Sequence, residues 1–310
     1  MKKLILISTF FISTVALTAQ KEQDEPIYLR DRPEVTIFFS VDEAAASNEV
    51  VEILNLRNKE LTVVSPGINQ FQELKYLSLM KNQLVDLPNE IFECSQLEEL
   101  NFRQNKIKEL PMAVGNLKKL EVLDASRNQF KTLPETIGDM ESIKIIHLVQ
   151  NELTVLPKEI GQLKTLKTLE LESNQLKELP EEIKGIKELI LLNAAKNQLI
   201  KLPENIVKLR SLKELNCNYN QLTELPAKLH KLRKAEVLSF NENQLKSLPP
   251  KIAKMKNLQL LNLANNDLKQ LPENLSKWKE LKTLLLNGNN FSKEEQKRIK
   301  AALPHTDIRF

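Results

Sequence analysis

Leu166-Lys167-Thr168-Leu169-Glu170-Leu171-Glu172-Ser173-Asn174-Gln175-Leu176-Lys177-Glu178-Leu179-Pro180-Glu181-Glu182-Ile183-Lys184-Gly185-Ile186 holds the pattern from which most of this chain is built. Its asparagine recurs every 23 residues, at Asn82, Asn105, Asn128, Asn151, Asn174, Asn197, Asn220, Asn243, Asn266 and Asn289. One period further back stands Lys59, where the apolar spacing persists and the asparagine is lost. A fixed period of this length is the signature of a solenoid.

The segment Leu166 to Leu171 alternates, so a short strand points its leucines one way and Thr168 and Glu170 the other. One strand cannot bury that face alone. Stacked copies build a parallel sheet over a continuous leucine core. The asparagine follows the strand, where its amide can both donate to and accept from the backbone of neighbouring turns. Pro180 then sets a turn, and Ile183 and Ile186 have the spacing of a short helical or 3-10 segment on the opposite side. Substitutions inside the core trade volume between layers: Ala125, Ala194 and Cys217 are small at the third leucine, and Phe102 and Phe240 are large there.

The unit L-x-x-L-x-L-x-x-N-x-L-x-x-L-P-x-x-I-x-x-L resembles the leucine-rich repeat family, in the L-P-x-x-I variety of many bacterial repeat proteins and Ras-binding scaffolds. The resemblance covers roughly residues 50–291 in eleven units. It implies an α/β horseshoe solenoid of about 11 repeats: a parallel concave sheet, short helical or 3-10 convex segments, and a cap at each end.

Net charge is +4, and removal of the first 19 residues takes away Lys2 and Lys3 and leaves +2. That balance does not suggest a nucleic-acid partner. Cys94 and Cys217 lie more than five repeats apart, roughly 25 Å at ~4.8 Å per strand, which excludes a disulfide. Extracellular animal and plant members of the family usually carry cysteine-paired caps, so the resemblance points to a bacterial source.

Residues 1–19 read as a secretory signal peptide: a basic start at Lys2-Lys3, then an uncharged apolar stretch from Leu4 to Thr18. Cleavage is expected within residues 16–20, and no lipoprotein cysteine is present, so a secreted, cell-surface or periplasmic location follows. Residues 20–49 form a leader and N-terminal cap, with strand character from Val35 to Phe39 and a helical turn at Val41 to Ala46 capped near Asp42. Residues 50–291 are the repeats and 292–310 a C-terminal helical cap. There Ser292 is the expected N-cap, Glu295 its capping-box partner, and Ile308 and Phe310 face inward.

The outward strand positions form columns on the concave face. Val122, Ile145, Val149 and Leu191 are expected to make an exposed apolar patch, of the kind that marks protein interaction sites. Tyr76, Met80 and Arg103 are expected anchors nearer the N-terminal side. His147 lies beside Glu170 on the next strand, and Glu172 adds a second carboxylate. These residues define the expected ligand-binding face, and the ten asparagines a structural ladder. The function expected is a non-enzymatic module that binds a protein on this face, as a monomer, with no cofactor or metal and no membrane span after signal cleavage. Two rivals are a self-associating surface protein and, less favoured, a metal-dependent enzyme using Asp124, His147 and Glu170.

Overall fold

A computed structural model describes residues 35–310. Thirteen parallel strands form one sheet in chain order, β1 beside β2 through to β13. The expected signal peptide and most of the leader lie outside the described residues. Eleven strands come from the repeats, from β2 (Ile53–Asn55) to β12 (Thr283–Leu285). The caps add β1 (Ile37–Phe38) and β13 (Asp307–Arg309), so the sheet exceeds the eleven strands expected from the repeats by two. Register is the repeat itself: Leu169 in β7 (Thr168–Glu170) pairs with Ile146 in β6 (Ile145–His147) and with Leu192 on the other side.

The repeat leucines fill a continuous core, with Leu169, Leu171 and Ile183 wholly buried. Each such side chain is worth about 1.5–3 kcal/mol when removed from water. The volume trades hold: Phe102 and Phe130 meet edge to face, ring centroids 6.1 Å apart, beside the small Ala125. Cys217 is fully buried, and burial pushes its thiol up to about 12. Cys94 is also buried and is raised to about 11, first by burial and then by Glu93.

The convex segments are 3-10 turns such as Glu181–Gly185, which starts directly after Pro180. The N-terminal cap holds α1 (Val41–Ala46), and its N-cap is Ser40 rather than the Asp42 position expected. Ser40 Oγ accepts from Glu43 N at 3.0 Å, because a hydroxyl just before the first turn reaches the free amide. At the other end α2 (Lys293–Ala302) is capped by Ser292, which accepts from Glu295 N at 3.2 Å. The expected capping box is half made. The Glu295 carboxylate turns instead to Leu271 N and Arg298, tying the helix to the last repeat. Ile308 and Phe310 pack against the core as expected. No helix of the described residues is long and apolar enough to cross a membrane.

Candidate functional site: the concave face

The asparagine ladder fixes the loops that frame this face. In all ten copies Oδ1 accepts from the backbone N of the residue 21 positions earlier, at 2.9–3.2 Å. Nδ2 donates to the carbonyl 26 positions earlier, at 2.8–3.1 Å. It also donates to the carbonyl three residues back, just past the end of its own strand, at 2.8–3.2 Å. Every ladder asparagine therefore ties its repeat to the one before. Lys59 has no regular repeat before it, and its own amide is served by Asn82 Oδ1 at 2.9 Å.

The residue before each ladder asparagine is left-handed, with φ between 52° and 60° in nine cases. Only Gly288 is a glycine. A left-handed residue costs most side chains roughly 1–2 kcal/mol, and here the asparagine bonds hold the turn in place.

A second set of side chains on this face is also structural. Asn55, Asn101, Asp124, Asn193, Asn216 and Asn262 each accept, through Oδ1, the backbone N two residues on, at 3.0–3.2 Å. These Asx turns close the end of the strand. Where the column departs from asparagine or aspartate, the side chains are free for other bonds. His147 and Glu170 are two consecutive departures, and they bond each other: Nδ1 to Oε2 is 2.8 Å. Burial opposes protonation of His147, yet the hydrogen bond and charge of Glu170 outweigh it, with Asp124 adding, so its pKa stands above the ordinary value. Burial likewise works against the Glu170 carboxylate, but the His147 bond holds its pKa below the ordinary value. Glu172 pairs with Lys196 at 2.8 Å and accepts from Asn193 Nδ2 at 3.1 Å.

Asp124 is nearly buried and spends a carboxylate oxygen on Ser126 N at 3.0 Å. No group of three His, Cys, Asp or Glu side chains among the described residues converges to hold a metal ion. The Asp124, His147 and Glu170 metal centre fails on that geometry.

Val122, Ile145, Val149 and Leu191 do lie on one face, with Thr168 of the intervening strand between Ile145 and Leu191, but they are half-buried rather than exposed. The concave curve draws neighbouring side chains together and shields their flanks. Arg103 is half-buried too. Tyr76 and Met80 depart further from expectation, at 6% and 8% exposure. Their neighbour Ile53 is wholly buried. Burial, then the charge of Glu99, drives the Tyr76 hydroxyl well above its ordinary pKa. Neither can anchor a partner without movement of what surrounds it.

A family model described as Leucine-rich repeat region matches residues 37–152 and 142–238, and one described as Leucine Rich Repeat matches 257–278. The chain belongs to the leucine-rich repeat family. A solved Leptospira interrogans leucine-rich repeat protein is 33% identical, with 84% of each chain covered and a TM-score of 0.47. The ectodomain of the Arabidopsis thaliana plant membrane receptor kinase GASSHO1/SCHENGEN3, solved in complex with CASPARIAN STRIP INTEGRITY FACTOR 2, is 28% identical with a TM-score of 0.64. That match covers 83% of this chain and 38% of the ectodomain. An internalin from Listeria monocytogenes shares the fold at 20% identity and a TM-score of 0.66, covering 83% of this chain and 80% of the internalin. No curated protein matches the chain.

Proposed function

We propose that this protein is an exported, non-enzymatic module that binds a protein ligand on the central part of its concave face. The observation that carries the reading is the side-chain set of β5 (Val122–Asp124) to β8 (Leu191–Asn193). Val122, Ile145, Val149 and Leu191 form a half-buried aliphatic floor, and the His147–Glu170 pair and Glu172 stand beside it. An apolar centre with polar groups at its border is the usual make-up of a protein-binding patch. The plant ectodomain, solved in complex with CASPARIAN STRIP INTEGRITY FACTOR 2, supports a binding role for the fold. Export rests on the basic-then-apolar run from Met1 to Ala19.

The test is affinity capture with the mature chain and with an Ile145→Lys, Val149→Lys double variant. Both side chains sit at the surface of the sheet, so the fold is expected to survive, and circular dichroism checks it. A partner retained by the native chain and lost by the variant supports the reading. Equal retention by both sinks it. Light scattering across concentration tests self-association: a stable oligomer that the same double variant breaks apart would assign the face to a second copy instead.

A further inference from the structure

Eleven residues after the ladder asparagines of four consecutive repeats stand Lys208, Lys231, Lys254 and Lys277. Each is the last residue of its 3-10 turn. Two residues further on stand Arg210, Arg233, Lys256 and Lys279. All eight side chains are exposed. Between the members of each pair lies a buried anchor: Leu209, Leu232, Met255 and Trp278. The solenoid thus holds two parallel columns of cations on its convex face, at a spacing the repeat sets.

In the five repeats before them, the first slot holds Glu93, Asn116, Asp139, Gln162 and Gly185. The first column is therefore a local feature, whereas the second runs on upstream through Lys187 and Lys164 to Lys118, broken by Glu141. No acidic residue interrupts Lys228 to Lys234 or Lys251 to Lys256. Among the described residues none of the eight is in an ion pair, whereas Lys213 nearby pairs with Glu236 at 3.0 Å. His230, half-buried among them, is held below its ordinary pKa by burial and then by Lys251, Lys254 and Lys231, so these charges converge on one surface. A net charge of only +4 conceals the strip, because acids elsewhere offset it.

We propose that this convex strip binds a linear anionic polysaccharide, one bearing sulfate or carboxylate groups along a flexible chain. Charge complementarity selects a polyanion. The curvature selects a flexible one that can bend over the surface. A lipid surface fits poorly: C-terminal to Tyr219, where most of the strip lies, no large hydrophobic side chain among the described residues is exposed to enter a bilayer. Single-stranded nucleic acid fits poorly as well, since Trp278 is buried and the strip has no exposed Phe, Tyr or Trp ring as a stacking face.

Heparin is the probe, titrated by calorimetry at several salt concentrations. Three proteins are compared with the native chain. The first carries Lys231→Gln, Arg233→Gln, Lys254→Gln and Lys256→Gln. The second removes equal charge from earlier repeats, away from both columns, through Lys106→Gln, Lys108→Gln, Lys131→Gln and Lys177→Gln. The third is the concave Ile145→Lys, Val149→Lys variant. The strip variant is expected to bind heparin roughly tenfold or more weakly and to show a shallower salt dependence, because fewer counterions are exchanged. The other two are expected to stay within about twofold of the native chain. Equal weakening by the first and second variants would reduce the effect to net charge and overturn the proposal. So would the absence of heparin binding by the native chain at physiological salt. Tighter binding to a single-stranded oligonucleotide or to phosphatidylglycerol vesicles than to heparin would overturn the choice of ligand.

Discussion

In the central repeats the convex turns close on one another through Gly115, Gly138, Gly161 and Gly185, whereas in the last four the same surface carries paired cations. A Cβ built at Gly161 would fall within the radius of the Glu182 carbonyl oxygen, and one at Gly185 within that of the Gly161 oxygen. Only glycine permits that approach. The slot ten residues past the asparagine is glycine at Gly115, Gly138 and Gly161, and becomes Val207, His230, Ala253 and Ser276 downstream. Strand spacing on the inner side is set by backbone bonds at ~4.8 Å, so the outer spacing is what can vary along the chain. Glycine draws the central turns together. The downstream repeats keep side chains between their turns, and their convex surface is where the cations stand. One repeat thus supports a sealed surface and a decorated one, with the same core and ladder beneath both.

The ladder is the part that should not register this difference. Asn174→Ala in the glycine region and Asn243→Ala in the cationic region are each expected to cost about 3–5 kcal/mol, since both leave several buried backbone groups unpaired. Urea unfolding measures both, and a gap of more than about 1.5 kcal/mol between them would show that the regions differ below the surface as well. The convex slot itself should discriminate. Gly161→Ala is expected to lose about 2–3 kcal/mol by overpacking, while Ser276→Ala stays within about 0.5 kcal/mol. Equal effects would remove the contrast.

The two histidines sharpen it through pH. His147 on the concave face has a raised pKa, so its contribution is present below the ordinary 6.5 and fades as pH rises through the folded value. Glu170 is lowered, so its share is present above the ordinary 4.5 and fades as pH falls through the folded value. The pair therefore contributes most between these two values. His147→Gln should remove the stability lost between that window and pH 8, read from thermal midpoints. His230 on the cationic surface has the opposite sign: its pKa is lowered, so stability falls as pH drops below 6.5. His230→Gln should remove that loss, and thermal midpoints that fall equally with and without the substitution would refute it. Last and smallest, Ser173→Gly should gain about 0.5 kcal/mol by relieving a left-handed residue, offset in part by the entropy of glycine.

The fold was legible because one asparagine and its leucines repeat at a fixed interval, and stacking then follows from a face that no single strand can bury. The left-handed residue before each asparagine left no such mark. Lys81, Gln104, Arg127 and Tyr219 all occupy it, because the asparagine bonds impose the turn and the side chain has no vote. Alternation told which face Tyr76 and Met80 share, but not how much of them solvent reaches. The Asx column hid for another reason: Asn193 and Asn216 look like outward recognition groups until their oxygens are seen turned to their own backbone. The His147–Glu170 pair was legible, since register places residues 23 apart side by side. The cationic columns are invisible to composition and appear only when lysines are compared slot by slot.

The side chain of each ladder asparagine bonds backward, never forward, and that gives the ladder a direction in time. A ribosome delivers the chain from its N-terminal end, so every new repeat completes the loop bonds of the repeat already made. At any moment of synthesis only the newest loop awaits its partner. The order in which the polymer is made and the order in which its bonds close are the same.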